Sequence, residues 1–295
     1  MMIRLRPTIH PTKADTIMKP LIVWPVRASV QTQAFDLHAT IIEAVAASGE
    51  TLQEGDVLAV SSKYAAISEG RVVAMSDVVV TPEAEALAER YHMNPVMAQL
   101  VLQEADHIFG GIELGFLLTY KDGVLSPNAG LDRSNIPSGS VVLFPKYPYA
   151  TAECIRQAMQ AHFGVRIGVI LTDSVLMPGR LGTIGVALAT AGFQPVQDER
   201  GKTDLFGNPM AVTQRGIADS ISVAAQLVMG ERDEATPLVI LRNTGATLTD
   251  APISQQDVAI PWQMCIYVES LTVGLLPNGA PSEAFSAKLR NQATQ

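Results

Sequence analysis

The strongest constraint on the fold of this 295-residue chain is an alternation of short apolar segments with amphipathic ones. Apolar segments of this length have the character of β-strands, and apolar residues at helical spacing separate them. The predicted strands are Leu21–Val26, Val57–Val60, Ile167–Leu171 and Leu238–Leu241, with further strand-like sequence in Ile266–Leu276. The pattern predicts an α/β protein, with mixed sheets and flanking helices.

Local signals predict where the helices begin and end. The residues predicted to cap helix N-termini are Asp36, Thr81, Asn94 and Thr151. A later helix with apolar residues at helical spacing is predicted to end at Gly230.

The composition indicates a chain that can bury a large core. Hydrophobic residues make up 47% and charged residues 17% of the sequence, unlike a disordered protein. The net charge is −8 and no dense run of Lys or Arg occurs, so no nucleic-acid partner is expected. No stretch approaches the roughly 20 apolar residues that span a bilayer, and Cys154 and Cys265 fit no metal-binding spacing. We therefore expect a cytoplasmic protein with no membrane partner.

The chain is expected to have three parts. They are a flexible leader over residues 1–18, one domain over 19–270 and an extension over 271–295. The leader carries basic residues but lacks the apolar core of a signal peptide.

Polar residues stand beside apolar segments at three places. They are Ser61-Ser62-Lys63, Thr172-Asp173-Ser174 and the segment Asn128–Asn135. Turn chemistry alone can explain such sequences. Strand ends are also favoured ligand sites in open sheets, and a carboxylate beside an amide can hold a hydrated divalent cation and a phosphate. The residues by themselves leave both interpretations open.

The common catalytic motifs do not occur in the sequence. A nucleophile elbow, paired His or Cys zinc ligands and a dinucleotide-binding glycine fingerprint are all missing. Gly201-Lys202-Thr203 is not a P-loop, because Val196 stands where a glycine is required.

Separate carboxylates and cations remain as candidates. Asp132, Asp173 and Glu231 are hard oxygen donors that suit Mg²⁺ or Mn²⁺, and Lys63, Arg180 and Lys202 could face phosphates. Together they suggest metal-assisted phosphoryl chemistry, provided that folding brings them together.

Four stretches carry distinctive motifs: residues 55–63 with 69–73, 128–135, 172–182, and 200–207 with 228–230. The most specific are Asn-Ala-Gly-Leu-Asp-Arg-Ser-Asn and Arg-Gly-Lys-Thr-Asp-Leu-Phe-Gly. Taken together, and in their order along roughly residues 20–268, the stretches resemble the coenzyme F420 gamma-glutamyl ligase family. The resemblance implies a family-specific α/β fold of two intertwined lobes, a homodimer, and GTP with Mg²⁺ or Mn²⁺ as cofactors. It also implies that L-glutamate is joined to a carboxylate of the F420 precursor, which GTP first activates as an acyl phosphate.

The resemblance also implies roles for individual residues. Metal ligands are expected at Asp132, Asp173, Ser174 and Glu231, the last in place of a glutamine of the family. Nucleotide contacts are expected at Ser61, Ser62, Lys63, Asn135, Met229 and Gly230, and catalytic roles at Asp132, Asp173 and Arg180. Gly130 is expected to let the backbone approach the ligand.

The chain departs from the family pattern mainly in segments that are expected to contact the acceptor substrate. Residues 175–180 are Val-Leu-Met-Pro-Gly-Arg where the family usually has Phe-Gly-Arg-Pro-Trp-Arg, and residues 249–263 also differ. The nucleotide and metal half is kept better than the acceptor half. A ligase acting on a different acceptor, a nucleotide-binding homologue without ligase activity, and a phosphotransferase or nucleotide hydrolase are therefore the alternatives.

Overall fold

The computed structural model describes residues 19–272, so the expected leader and the residues after 272 lie outside it. The strands are β1 (Ile22–Val26), β2 (Val57–Ser61), β3 (Val72–Ala74), β4 (His107–Ile112), β5 (Phe116–Lys121), β6 (Val124–Pro127), β7 (Ser140–Val142), β8 (Gly168–Leu176), β9 (Thr183–Ala191), β10 (Val196–Asp198), β11 (Gln214–Gly216) and β12 (Leu238–Arg242). The helices are α1 (Leu37–Ala47), α2 (Ser62–Ser68), α3 (Pro82–Tyr91), α4 (Pro95–Glu104), α5 (Pro148–Phe163), α6 (Ile217–Met229) and α7 (Ile266–Thr272). This arrangement confirms the mixed α/β class. None of these helices is long and apolar enough to cross a membrane.

A five-stranded sheet in the order β1-β12-β2-β8-β9 forms the centre of the protein. Only β2 and β8 are parallel neighbours, and the other three pairs are antiparallel. Pro25 lies in β1, at the edge of the sheet, where its missing N–H interrupts no ladder on the outer side. Because β2 and β8 run in the same direction, their C-terminal ends meet at one edge of the sheet.

Both faces of the central sheet are covered, as the unbroken apolar runs of β2 and β12 predict. Leu58 and Val60 of β2 pack with α1 and α5 on one face, and Val57 and Ala59 pack with α6 on the other. A buried ion pair fastens the opposite end of β2 to β12. Asp56 has no exposed surface, and its two carboxylate oxygens each accept a 2.9 Å hydrogen bond from Arg242.

Three smaller sheets flank the centre. β4, β5 and β6 form an antiparallel sheet, β3 pairs with β7, and β10 pairs with β11 in an exposed hairpin. The charged turn at 198–207 lies in this hairpin, where Arg200 binds Asp198 and Lys202 binds Glu199.

Most of the predicted helix caps are confirmed. The side chains of Asp36, Thr81 and Asn94 accept hydrogen bonds from the first turns of α1, α3 and α4, and Gly230 follows the last residue of α6. The prediction for Thr151 was wrong. Because a proline is favoured in the first helical turn, α5 begins at Pro148, and the Thr151 hydroxyl donates to Glu69 instead.

Two other elements differ from the sequence-based expectation. The apolar run from Ile266 forms helix α7 as far as Thr272, so the strand predicted at 266–276 is wrong where the structure describes it. Helix α2 was not predicted, and it turns the chain directly after β2. Ser62 and Lys63 therefore lie in the first turn of a helix, not at a free strand end.

Candidate functional site

A cavity of about 580 Å³ opens where β2 and β8 end side by side. Ser61 pairs with Thr172 across these two parallel strands, which places Lys63 beside the Asp173-Ser174 pair. The edge of an open sheet beyond parallel strand ends is a common ligand site. The fold therefore brings two of the three polar stretches together.

The third stretch reaches the same cavity through a backbone bridge. Asp132 N–H donates to the Val142 carbonyl at 3.0 Å, and Val142 N–H donates back to the Asp132 carbonyl at 2.9 Å. This bridge holds the Asp132 carboxylate opposite Lys63, whose Nζ lies 2.6 Å from Asp132 Oδ2. Lys63 Nζ also donates to the Ser134 hydroxyl at 2.8 Å.

The pKa of Asp132 reflects these contacts. Burial by itself would raise the pKa of the Asp132 carboxyl, but the charge and hydrogen bond of Lys63, with hydrogen bonds from Ser134, hold the pKa below its usual value. Asp132 is therefore an anion at neutral pH.

Asp173 has the opposite electrostatic environment. Burial, and then the negative charge of Asp132, raise the pKa of the Asp173 carboxyl to about 7, although the Ser174 N–H and the Ser62 hydroxyl donate to it and Lys63 lies nearby. Because Asp173 is half-buried and faces the cavity, a cation bound there can stabilise its anion. The two aspartates therefore form an unequal pair: Lys63 binds Asp132 directly and affects Asp173 only through its charge.

Glu231 closes the cavity on the side of α6. Its carboxylate accepts hydrogen bonds from the Ser174 hydroxyl at 3.4 Å and from Gln226 Nε2 at 2.8 Å. The Asn135 side chain donates to the Glu231 carbonyl at 3.4 Å. Met229, Gly230 and the residues up to 237 form the adjoining wall.

Most of the predicted site residues thus line one cavity. They are Ser61, Lys63, Asp132, Asn135, Asp173, Ser174, Met229, Gly230 and Glu231. Ser62 does not line the cavity, but its hydroxyl donates to the Asp173 carboxyl. Arg180 lies exposed in the turn between β8 and β9 and lines none of this cavity, and Lys202 lies in the exposed hairpin. The catalytic role of Arg180 stays a prediction.

Gly130 has a packing role in the structure, and its predicted approach to a ligand stays a prediction. Its φ is +70°, and an added Cβ would overlap the ring of the buried Phe144. The glycine therefore serves the core under the Asp132 loop, because no side chain fits between that loop and the ring.

Several cavity residues were missed by sequence reasoning. The loop Ala28–Thr32 after β1 and Gln226 on α6 both line the cavity. The signal available for Gln226 was a polar residue one turn before the helix-ending Gly230. The loop at 28–32 carries no such signal, because its position depends on the pairing of β1 with β12.

The metal-binding side chains of the cavity fit a cation that is also bound by water or by substrate phosphates. Among residues 19–272, no group of three or more Asp, Glu, His or Cys side chains is placed to hold a metal ion by itself. Mg²⁺ usually binds through one or two carboxylates and completes its shell with water and substrate phosphates. Two aspartates with the Ser174 hydroxyl are a set of that kind.

Comparison with known proteins places the chain in a family. Residues 25–243 match the family model described as F420-0:Gamma-glutamyl ligase, a range that contains the whole cavity lining from Ala28 to Pro237. The Coenzyme F420:L-glutamate ligase of Methanopyrus kandleri is 37% identical over 205 residues, which cover 68% of this chain and 80% of that protein. The protein of the same name from Methanothermobacter thermautotrophicus is 34% identical over 210 residues, 70% of this chain and 82% of that protein. The chain therefore belongs to the F420-0:gamma-glutamyl ligase family of amide-forming ligases.

Proposed function

We propose that this protein is a GTP- and divalent-metal-dependent ligase that joins L-glutamate to a carboxylate of the F420 precursor. The family match supports the ligase class and the names of its relatives support the substrates. The observation that carries the nucleotide and metal part is the convergence of Lys63, Asp132 and Asp173 in one cavity, from positions far apart in the chain.

The charge balance of the cavity supports a metal–nucleotide complex as its ligand. The lining contains five carboxylates against two cations, namely Asp132, Asp173, Glu231, Asp233 and Glu234 against Lys63 and Arg232. A free triphosphate would be repelled by this excess of negative charge. A bound Mg²⁺ or Mn²⁺ would neutralise both the carboxylates and the phosphate oxygens.

The reaction we propose has two steps. A carboxylate oxygen of the acceptor attacks the γ-phosphorus of GTP, the bond to the bridging oxygen breaks, and GDP leaves with an acyl phosphate formed. The glutamate amine then attacks the acyl carbon, phosphate leaves with the former carboxylate oxygen, and the amine gives up a proton. In this scheme Lys63 moves from Asp132 to a phosphate oxygen, while the cavity walls protect the acyl phosphate from water.

The first test is nucleotide binding by calorimetry with Mn²⁺. We expect GTP to bind the wild-type protein, and Asp132→Asn and Asp173→Asn to abolish metal-dependent binding while the fold persists. Asp198→Asn is the matched control, because Asp198 is an exposed carboxylate in the β10–β11 hairpin, outside the cavity. Unchanged binding in both cavity variants would show that the site is wrongly assigned.

The second test separates ligation from its alternatives. Phosphate release from GTP should require both L-glutamate and the F420 precursor F420-0, and the product should contain amide-linked glutamate. Release without glutamate would point to a hydrolase or phosphotransferase. Binding of GTP with no release under any of these conditions would point to a homologue without ligase activity.

A further inference from the structure

A second cavity, of about 550 Å³, lies between the β4-β5-β6 sheet and strands β8 and β9. Its lining is predominantly apolar and includes Phe116, Leu118, Val175, Leu176, Met177 and Leu188. Cavities that hold small organic ligands have this size and character, with a few polar groups for orientation.

Strand β8 joins the two cavities. Thr172, Asp173 and Ser174 line the polar cavity, and the next three residues, Val175–Met177, line the apolar one. Since a strand rises about 3.3 Å per residue, Asp173 and Val175 are only ~7 Å apart along it. The two cavities therefore border consecutive residues of one strand, and a ligand that spans both needs an arm of about this length.

The apolar cavity also contains a phenol without a partner. Tyr149 lines it, and its hydroxyl makes no hydrogen bond to any residue in the part of the chain that the structure describes. Burial, and then the negative charges of Asp257, Asp122 and Asp219, raise the pKa of Tyr149 to about 12. The phenol therefore stays protonated and presents a hydrogen-bond donor to a neutral acceptor atom.

We infer that the apolar cavity holds the body of the carboxylate acceptor, while its carboxylate reaches Asp173 and Ser174. This inference rests on the proposed function and specifies how the acceptor is held: a ring-sized, largely apolar body with a hydrogen-bond acceptor for Tyr149, and a carboxylate on an extended arm. An anionic body is disfavoured, because Asp122 and Asp219 line the cavity and would repel it.

Leu176 and Met177 are the residues that set specificity. They belong to the segment 175–180 that departs from the family pattern, and Leu176 is 48% exposed at the cavity wall. Apolar side chains here favour an apolar acceptor surface, where an arginine would favour a polar or anionic one.

The experiment measures F420-0 binding by equilibrium dialysis, with and without Mg²⁺ and a non-hydrolysable GTP analogue. Leu176→Glu places a charge in the cavity wall, and we expect acceptor binding at least ~10-fold weaker. Leu181→Glu is the matched control, since Leu181 is fully exposed in the turn that follows β8 and lines neither cavity. Tyr149→Phe removes only the hydroxyl and should weaken binding about 3- to 10-fold. None of the three should change the affinity for the nucleotide.

The outcomes separate this inference from the proposed function. Weaker F420-0 binding by Leu176→Glu but not by Leu181→Glu supports the acceptor cavity. This holds even if GTP fails to bind and the GTP-dependent reaction is refuted. Equal binding in wild type and Leu176→Glu, equal losses in both glutamate variants, or nucleotide binding without any F420-0 binding to wild type would each overturn the inference. Light scattering on the same samples covers one more case: an altered mass in Leu176→Glu with unchanged acceptor binding would assign the cavity to a contact between copies of this chain and overturn it too.

Discussion

Replacing Asp173 by asparagine should stabilise the metal-free protein and at the same time destroy its response to nucleotide and metal. The carboxyl of Asp173 lies at the base of the polar cavity, where burial and the charge of Asp132 disfavour its anion. Asparagine has nearly the same shape and no charge, so it removes the unfavourable anion but also a proposed ligand of the cation.

The size of the effect follows from the pKa of Asp173, which is 3.8 ordinarily and about 7 in the folded protein. Below pH 4 both the folded and the unfolded states carry the proton, and the carboxyl costs nothing. Between pH 4 and pH 7 only the unfolded state loses it, so stability falls as the pH rises. Above pH 7 the cost is constant, at most about 4 kcal/mol at ~1.4 kcal/mol per pH unit. The weaker hydrogen bonds of an amide with Ser62 and Ser174 offset part of this gain, which leaves a net stabilisation of about 1–2 kcal/mol, or about 2–8 °C in Tm.

The assay is thermal unfolding of EDTA-treated protein at pH 5 and pH 8. Asp173→Asn should unfold at a higher temperature than wild type, by a margin that is larger at pH 8. With GTP and Mn²⁺ the order should reverse, because only wild type gains the ~3 kcal/mol that a ligand at 100 times its Kd provides.

Asp132→Asn provides the opposite control. The pKa of the Asp132 carboxyl is held below its usual value in the folded protein, so the anion stabilises the fold above pH 4 and this contribution disappears as the pH falls. This variant should therefore lose stability at pH 8. A stability gain for Asp173→Asn that is equal at pH 5 and pH 8, or a loss at both, would refute the electrostatic account of the pair.

Three further changes test other parts of the molecule. Gly130→Ala should lower the free energy of unfolding by about 2–4 kcal/mol in urea titrations, whereas Gly139→Ala, also at positive φ but with open space around it, should cost only ~1 kcal/mol. Equal losses would mean that φ alone demands the glycine. Asp56→Asn removes the buried charge that Arg242 pairs with, while Glu50 stays 3.6 Å from Arg242, and should cost about 1–3 kcal/mol in the same titration, with part of the loss recovered when Arg242→Met is added. Lys63→Met should weaken GTP binding ~10-fold or more in calorimetry with Mn²⁺, and an unchanged affinity would remove Lys63 from the nucleotide contacts.

Local chemistry was enough to predict many elements of the fold. Asp36, Thr81 and Asn94 cap helices where expected, because a cap depends on a side chain and the backbone N–H groups two or three residues later. Four of the five central strands, β1, β2, β8 and β12, were also predicted, because each stands in the sequence as a short apolar run. Strand β9 was not predicted. Thr151 failed because a hydroxyl near a helix start has other partners available, and here Glu69 takes it.

The composition of a segment could not choose between helix and strand at 266–272. Its apolar and β-branched residues fit both, and the structure forms α7 there. Helix α2 could not be predicted from the sequence for a related reason. Most of its seven residues are buried, so it lacks the polar face that marks an amphipathic helix.

What the sequence determined by itself was the strand and helix framework and, through the family motifs, the identity of the polar residues. Only the tertiary structure brought these polar residues together in one cavity. Asp132 and Asp173 share one cavity because β2 and β8 run parallel and because a backbone bridge ties the Asp132 loop to β7. The second cavity beside them was likewise invisible in the sequence, since its walls come from two sheets that contact each other only in the folded chain. Spacing along a chain carries no information about such contacts, because they depend on which strands pair and in which direction.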